Sequence, residues 1–324
     1  MQYKRVALLR GGPSEEYQVS MQTGANVLRA IKKLGNPVSD IVITKNGEWL
    51  ENGLVKKPEQ VLASTDIVFL GLHGAYGEDG EVQKIIQRYN LPFTGSRAFP
   101  SAIAFNKHLT KETMLAHGLT MPKHRIIASE EVELLADIVK EIRANFGPEY
   151  IIKPIASGSS VGITLVKEGQ SLEDKLEESL KLQDRLMVEE YIRGREATCA
   201  TLENFRNEDI YVFPAVEIIP PSNADFFTAE VKYDGTTKEI CPGNFSYSEK
   251  SKLAEASALV HGVLGLSQYS RSDFIIKNGQ VYFLEVNTLP GLTEESLYPK
   301  AALAVGLEFD QLVSFLLETA TPWG

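Results

Sequence analysis

The pattern of apolar and polar positions at the start of the chain predicts a strand, a glycine turn and a helix. An apolar run at residues 5–9 ends in Gly11-Gly12. The apolar stripe that follows has helical spacing and consists of Val27, Leu28, Ile31 and Leu34. Strand-like runs at 40–44 and 66–72 precede a helix predicted over 81–89. This alternation predicts a parallel sheet covered by helices.

The pattern changes after residue 95. The predicted helices beyond this point are 107–117, 131–146, one starting at 248, and the helical segment 296–320, and the predicted strands are 124–128, 150–154, 186–192, 195–202, 210–219 and two around Asn278-Gly279. A long polar and aromatic stretch occupies 220–247. We therefore predict an α/β protein of three domains, residues 1–95, 96–185 and 186–324.

Composition narrows the classes of partner. The chain has 324 residues with 33 Lys and Arg against 43 Asp and Glu, a formal net charge of −10, which disfavours binding to nucleic acid or anionic lipid. No signal-peptide core or membrane-length apolar run is found, so we expect a cytoplasmic chain without a membrane partner. Cys199 and Cys241 are too few for a disulfide framework and are expected to be buried free thiols.

A loop of small residues is the first candidate for ligand chemistry. Residues 156–162 read Ala-Ser-Gly-Ser-Ser-Val-Gly and follow the strand that ends in Lys153-Pro154. Small residues let backbone N–H groups close around phosphate oxygens, and the lysine supplies a cation for them. The Walker pattern is absent because no Gly-Lys-Ser/Thr follows. A flexible surface loop is the alternative.

Polar residues alternate along the two strands around Asn278-Gly279. Arg271 and Asp273 share a face of one strand, as do Glu285 and Asn287 on the other. An odd loop such as 277–279 would place all four on one face, whereas a two-residue loop would split them. Their hard oxygen donors favour Mg²⁺ over zinc. An ion pair between Arg271 and a strand carboxylate is the alternative.

The stretch His73–Gly80 follows a buried-type strand directly. Its glycines at 74, 77 and 80 permit tight turns and a close backbone approach at the sheet edge where open α/β sheets bind ligands. A structural role for His73 is the alternative.

These motifs together resemble the D-alanine–D-alanine ligase family of ATP-grasp enzymes. The segments that carry the resemblance are 11–20 (Gly-Gly-Pro-Ser-Glu-Glu-Tyr-Gln-Val-Ser), 73–80, Lys153 with 158–162, Lys232-Tyr233, 271–273, and 285–288 with Pro290-Gly291. Their order and spacing hold over about 290 residues, which makes coincidence implausible.

The resemblance implies a three-domain ATP-grasp architecture, in which an N-terminal parallel α/β domain and two α+β domains enclose ATP. It further implies that two D-alanines are joined through a D-alanyl phosphate for peptidoglycan precursor synthesis. Two Mg²⁺ ions would assist, Mn²⁺ could substitute for them, and a monovalent cation could take part. A homodimer is the implied assembly.

Residue roles are also implied by the resemblance. ATP would be held by Lys107, Lys153, Ser160, Glu189, Glu190, Ile192, Glu196 and Lys232, with adenine read at 189–192 and ribose by Glu196. Metal would be bound by Asp273, Glu285 and Asn287, and the second substrate by Ser296 and the Leu297 N–H, with His73 also assigned to substrate binding. The catalytic set is Glu16, Ser159, Tyr233, Arg271 and Gly291. Glu16, Ser159 and Tyr233 would latch the 220–247 segment as a lid. A solvated strand end is the alternative for Glu189 and Glu190.

Some positions depart from the family pattern. Asn106, Ser157 and the 226–233 run differ near ATP, while Leu292 and Glu294-Glu295 differ beside the second-substrate residues. The two glutamates are expected either to start the terminal helix or to point one carboxylate into the subsite. An ATP-grasp ligase of other specificity and a non-catalytic nucleotide-binding regulator stay open as alternatives. A Rossmann dehydrogenase is disfavoured, because Gly11-Gly12-Pro13-Ser14 lacks the third glycine.

Overall fold

The protein has three β-sheets with helices packed against them. The structure, a computed structural model, describes residues 4–156, 162–221 and 237–322. Within these ranges the apolar core forms three clusters: the first sheet shares one with residues of the third sheet, other residues of the third sheet pack in a second, and the second sheet has its own. None of the helices described there is both long and apolar enough to cross a membrane.

The first sheet is built mainly from the N-terminal third. Its elements are β1 (Val6–Gly11), α1 (Tyr17–Lys33), β2 (Val38–Ile43), β3 (Trp49–Glu51), β4 (Leu54–Lys56), α2 (Pro58–Leu62), β5 (Ile67–Leu70), α3 (Glu81–Gln87) and β6 (Pro92–Phe93). β1 runs parallel to both β2 and β5, which confirms the predicted parallel pairing for the central strands, whereas β3, β4 and β17 add antiparallel pairs that were not predicted. Gly11 makes the turn possible, since its φ is +89° and a Cβ there would lie 2.3 Å from the Ile43 carbonyl oxygen.

The second sheet has four strands and follows two connecting helices. The elements are α4 (Ala98–Phe105), α5 (Lys107–Ala116), β7 (His124–Ala128), a 3₁₀ turn (Ser129–Leu134), α6 (Leu135–Asn145), β8 (Tyr150–Pro154), β9 (Thr164–Val166), α7 (Leu172–Leu180) and β10 (Arg185–Glu190). The strand order is β7-β10-β8-β9, antiparallel throughout. The helix predicted over 131–146 begins only at Leu135, because the Glu131 carboxylate accepts a hydrogen bond from the Ala128 N–H and closes the preceding turn.

The third sheet and the C-terminal helices complete the fold. The elements are β11 (Arg195–Phe205), β12 (Glu208–Val212), β13 (Val216–Ile219), β14 (Lys238–Ile240), α8 (Tyr247–Val263), β15 (Tyr269–Lys277), β16 (Gln280–Asn287), α9 (Leu297–Leu303), α10 (Phe309–Thr319) and β17 (Thr321–Pro322). The sheet order is β14-β13-β11-β15-β16, with β12 also on β11. β17 returns to pair with β6 of the first sheet.

The β15–β16 hairpin corrects the predicted loop length. The loop is the two-residue Asn278-Gly279, and both residues have positive φ, as a tight hairpin turn of this kind requires. A β-bulge between Asp273 and Phe274 then shifts the register by one residue. Asp273 consequently lies opposite Glu285, and Arg271 opposite Asn287. The four polar side chains share a face as predicted, but the bulge rather than an odd loop brings this about.

Both cysteines are free thiols. Cys199 is a buried free thiol, as predicted, and burial raises its pKa to about 12. Cys241 is free and half-buried. The division into residues 1–95, 96–185 and 186–324 stays a prediction.

Candidate active site

Two cavities meet at the β15–β16 hairpin. The larger one, about 520 Å³, lies between the second and third sheets and is lined by residues that include Ile151, Lys153, Glu189, Glu190, Ile192, Glu196 and Asp273. The smaller one, about 90 Å³, lies beside the first sheet and is lined by residues that include Glu16, His73, Glu78, Asn287, Gly291 and Ser296. Arg271, Glu285 and Leu297 line both cavities. A ligand in one would therefore face a ligand in the other across these residues.

Arg271 and Asp273 form a two-pronged ion pair at this meeting point. Arg271 Nε and Nη2 donate to the two Asp273 oxygens at 2.9 and 2.8 Å. Thr198 Oγ1 and Asn287 Nδ2 also donate to the Asp273 carboxylate, at 2.5 and 3.2 Å. Burial disfavours the charged guanidinium, but Asp273 outweighs burial and raises the pKa of Arg271. Arg271 is thus a fixed cation, and the predicted alternative of an ion pair with a strand carboxylate is present.

The same face carries the residues predicted to bind metal. Lys107 Nζ lies 3.1 Å from Glu285 Oε2, and the Asp273 and Glu285 side chains keep 20% and 26% of their surface exposed. Asp273 and Glu285 are directly opposite each other, and Asn287 follows at the end of β16. This set of carboxylate and amide oxygens fits Mg²⁺. Lys107 and Arg271 are the cationic partners of Glu285 and Asp273, respectively.

Glu189 is buried between two lysines beneath the larger cavity. Lys111 Nζ lies 2.8 Å from its Oε1 and Lys153 Nζ 2.6 Å from its Oε2. Burial alone would raise the pKa of Glu189, but Lys111 and Lys153 lower it to about 2. Burial lowers the pKa of Lys111 to about 8 despite Glu189. The alternative of a solvated strand end is wrong for Glu189, which is 3% exposed.

Lys111 was missed by the sequence analysis. It lies one helical turn after Lys107 on α5 and is fully buried. The i, i+4 spacing of the two lysines was the available signal, since it puts both on one face of a predicted helix.

His73 lies in the wall of the smaller cavity with both ring nitrogens engaged. Nε2 is 2.8 Å from Thr23 Oγ1, and Nδ1 donates to the Leu289 carbonyl oxygen at 2.9 Å. Burial lowers the pKa of His73 to about 4, and Arg271 lowers it further, although the bond to Leu289 opposes this. The ring is therefore neutral at pH 7. The predicted structural role is present together with a position on the substrate cavity.

Glu78 is a second residue that the sequence analysis left without a role. Its buried carboxylate accepts hydrogen bonds from the N–H groups of Gly74 at 2.9 Å and of Thr288 and Leu289 at 3.0 Å each. Burial nevertheless raises its pKa. The loop after β5 is thereby fixed to the loop after β16, so Glu78 positions the walls of the smaller cavity.

The remaining predicted substrate residues line the smaller cavity. Glu16 lies just before α1, and a Cβ at Gly74 would come 2.8 Å from its Oε2. Ser296 immediately precedes α9, which begins at Leu297, and its Oγ accepts a hydrogen bond from the Thr293 N–H at 3.0 Å. A Cβ at Gly291 would lie 2.7 Å from Ser296 Oγ, so the absence of a side chain lets the Gly291 backbone approach.

Glu294 and Glu295 form a turn before α9 rather than its first turn, contrary to the expectation that they start the helix. Glu294 pairs with Arg29 at 3.0 Å, and Glu295 lies 3.4 Å from Lys300 Nζ. Their side chains are 79% and 87% exposed, and Glu295 is among the residues that line the smaller cavity. The helix begins at Leu297, and Ser296 occupies the N-cap position without a capping hydrogen bond from its side chain.

Several predicted residues lie outside the described part of the chain. These are Ser159, Ser160, Lys232 and Tyr233, together with residues 222–236 of the predicted lid. Their roles stay predictions.

Comparison with known proteins identifies the family. The model described as D-ala D-ala ligase N-terminus matches residues 5–60 and 51–96, and that described as D-ala D-ala ligase C-terminus matches 113–318. A curated D-alanine–D-alanine ligase of Maridesulfovibrio salexigens is 36% identical over 97% of both chains.

Solved structures agree with this. The VanG D-Ala:D-Ser ligase of Enterococcus faecalis superposes with a TM-score of 0.84 at 30% identity, covering 98% of this chain and 99% of that one. The D-alanine–D-alanine ligase of Bacillus anthracis complexed with ATP gives 0.79 at 29% identity, covering 98% and 97%. The predicted ATP-grasp fold is confirmed. From the two family models and these full-length relatives, we conclude that the chain belongs to the D-alanine–D-alanine ligase family.

Proposed function

We propose that this protein is an ATP-dependent ligase that joins two D-alanines into D-alanyl-D-alanine, the dipeptide used in peptidoglycan precursors. The observation that carries the proposal is the meeting of two cavities at Arg271 and Glu285. A reaction in which ATP phosphorylates a carboxylate needs the phosphate end of its nucleotide site to adjoin its amino-acid site, with cationic groups at the junction. The relatives named as D-alanine–D-alanine ligases and the neighbour solved with ATP support this assignment.

The larger cavity is the proposed ATP site. Ile151 and Ile192 supply apolar walls for adenine, with Glu190 at the end of β10 and Glu196 proposed for ribose. Lys153 lines this cavity beside Glu189, and Lys107 lies 3.1 Å from Glu285, which also lines the cavity. We propose that both hold phosphate oxygens as compact cations. Ser160 and Lys232 are proposed to contribute on the basis of the family resemblance.

The smaller cavity is the proposed site of the two D-alanines. Glu16 is proposed to bind the ammonium group of the first, while Ser296 Oγ and the Leu297 N–H bind the carboxylate of the second. Held side by side, the second amine can attack the activated carbonyl of the first without the entropic cost of a free encounter. His73 stays neutral and orients the Leu289–Gly291 loop.

Arg271 is proposed to stabilise the charge that develops during both steps. Its side chain is only 15% exposed and is held rigid by Asp273, so it needs no reorganisation when the tetrahedral oxyanion forms. The Gly291 N–H is proposed as the second donor to that oxyanion.

Asp273, Glu285 and Asn287 would hold two Mg²⁺ ions, which neutralise charge on the transferring phosphoryl oxygens when bound. Mn²⁺ could substitute, and a monovalent cation could assist. Ser159 and Tyr233 are proposed to latch residues 220–247 to Glu16 as a lid. On family grounds we also propose a cytoplasmic homodimer.

The test is phosphate release from ATP with a panel of D- and L-amino acids and D-lactate, with products identified by mass. We expect ADP, phosphate and D-alanyl-D-alanine from D-alanine, and little ester from D-lactate. D-alanyl-D-serine as the main product would instead indicate a D-Ala:D-Ser ligase, the activity in the name of VanG. ATP binding without turnover on any substrate would contradict a ligase and favour a nucleotide-binding regulator.

A further inference from the structure

Two histidines and a glutamate come together outside the proposed active site. His108 and Glu112 lie one turn apart on α5, and His124 is the first residue of β7. One ligand atom of each of the three lies within 4.8 Å of the other two. His124 Nε2 is 3.7 Å from Glu112 Oε1. Donors bound tetrahedrally at 2.0–2.1 Å lie about 3.4 Å apart, so small side-chain rotations complete this geometry.

Hydrogen bonding in the cluster is arranged for a ligand. His124 Nδ1 donates to the Pro122 carbonyl oxygen at 3.3 Å, which leaves the lone pair of a neutral ring on Nε2, towards Glu112. A backbone carbonyl on the far nitrogen is the usual orienting contact of a metal-bound histidine. His108 Nδ1 is buried, and no group within the described ranges hydrogen-bonds it. A buried nitrogen without a partner is costly unless a ligand completes it.

We propose that His108, Glu112 and His124 bind one divalent cation of the zinc class. Two imidazole nitrogens and one carboxylate are the donor set of open zinc sites, whereas the all-oxygen set at Asp273 and Glu285 suits magnesium. The Glu112 side chain is 55% exposed, which leaves a solvent-facing position for water as the fourth ligand.

The site would tie together two separately packed parts of the protein. Met114 of α5 is fully buried in the core under the third sheet, whereas Ile127 of β7 is fully buried in the core of the second. A metal bound to both elements therefore holds the second sheet to the third at one edge of the larger cavity. Because the ion binds only the folded arrangement, it raises the free energy of unfolding.

The experiment uses the full-length protein without an affinity tag, stripped of metal with a chelator. Zn²⁺ is titrated against a chromogenic competitor, and Co²⁺ is added separately to record the visible absorption of a tetrahedral site. We expect one tight Zn²⁺ equivalent and a higher Tm with Zn²⁺ than with Mg²⁺. His124→Gln and Glu112→Gln should each weaken Zn²⁺ binding by more than about 100-fold, beyond the range of outer-shell changes.

His117→Gln is the matched control, because His117 is an exposed histidine at the end of the same helix whose Nδ1 donates to the Thr113 carbonyl oxygen. It should bind Zn²⁺ like the wild type. Far-UV circular dichroism confirms that each variant folds, and the exposed Glu112 provides a substitution that leaves packing intact. Absence of a tight Zn²⁺ equivalent in the wild type overturns the proposal. The proposal is also overturned if His124→Gln and Glu112→Gln both bind Zn²⁺ as tightly as the wild type. In that case Glu285→Gln serves as a further variant, and loss of Zn²⁺ binding in it would place the ion at the magnesium-type site.

Discussion

Replacing Glu189 with glutamine should expose how strongly the buried lysines depend on it. The substitution keeps the shape of the side chain and removes the charge that Lys111 and Lys153 share. Losing one partner of a buried ion pair costs about 3–5 kcal/mol, because the remaining charge is left uncompensated. We expect the free energy of unfolding at pH 7 to fall by this amount.

The pKa of Glu189 gives a second measure of how much the two lysines stabilise the folded protein. A fall from 4.5 to about 2 corresponds, at about 1.4 kcal/mol for each pH unit, to about 3 kcal/mol. Since the folded-state pKa is depressed, this stabilisation is complete above pH 4.5 and is lost as the pH falls towards 2.

The cost of Glu189→Gln should itself depend on pH. The attraction of Glu189 holds the pKa of buried Lys111 up at about 8, so without it that pKa drops below 8. In the Glu189→Gln variant, raising the pH from 6 to 9 then neutralises Lys111, which reduces the loss of unfolding free energy relative to the wild type. Lys111→Met, which removes this buried charge and keeps most of the volume, should cost less than Glu189→Gln and should lessen its effect in the double variant.

Urea unfolding followed by far-UV circular dichroism at pH 6, 7 and 9 measures these differences. Hydrogen exchange in peptides from β8 and β10 localises them. The exposed Glu177→Gln on α7 is the control and should change stability by no more than about 0.5 kcal/mol. A cost below about 1 kcal/mol for Glu189→Gln at pH 7, or a larger cost for Lys111→Met, would refute the reasoning.

Four further predictions concern the cavities. Glu285→Gln should lower kcat for ATP turnover by roughly 10³-fold with folding intact, as for loss of a preorganised electrostatic group, and near-wild-type turnover in steady-state assays would contradict the metal site. Gly74→Ala should raise KM for the first D-alanine by about tenfold without changing KM for ATP, because the new methyl group lies against Glu16. Gly47→Ala is the control, since Gly47 also has a positive φ but faces open space, and it should leave both KM values unchanged. Equal KM values for D-alanine in the two variants would argue against the contact with Glu16. Lowering the pH from 6.5 to 4 should reduce the free energy of unfolding of the wild type by about 3 kcal/mol more than that of His73→Gln, as measured by urea titration. The reason is that the folded-state pKa of His73 is about 4, so the unfolded chain binds the proton first; the same pH dependence in both proteins would contradict this. Glu294→Ala and Glu295→His should each change KM for the second D-alanine by less than about twofold, under 0.5 kcal/mol, because water screens both largely exposed carboxylates, including that of Glu295 at the edge of the smaller cavity; a larger fall in that KM for Glu295→His would mean that its carboxylate enters the subsite.

The apolar pattern predicted strands and helices well where the element was long enough to show its periodicity. The helix from Lys107 and the strands before and after Asn278-Gly279 are found where the sequence indicated. The β3–β4 hairpin was missed because its strands have three residues each, too few for alternation to register, although Asn52-Gly53 marks its turn. The bulge after Asp273 could not be predicted either, since it follows from packing across the sheet.

Site residues were predictable when they stood in a recognisable motif and not otherwise. Asp273, Glu285 and Asn287 follow from period-two alternation and do share a face. Lys111 and Glu78 contact groups 78 and 210 residues away in sequence. Such contacts are created by tertiary packing, so the helical spacing of Lys111 and the place of Glu78 within residues 73–80 indicated a region but not the partner of either side chain.

The return of the chain to its first sheet bears on how the protein is made. β17 pairs with β6, and Leu312, Val313, Leu316 and Leu317 of α10 are buried in the same core as Val27 and Ile31 of α1. The ribosome delivers the N-terminal strands long before these residues exist. Until then the first sheet has an open edge and an uncovered apolar face, both of which invite pairing with other chains. A stalled or prematurely terminated chain should therefore be a substrate for chaperones through residues 6–93, while the second sheet, complete by residue 190, is already able to pack.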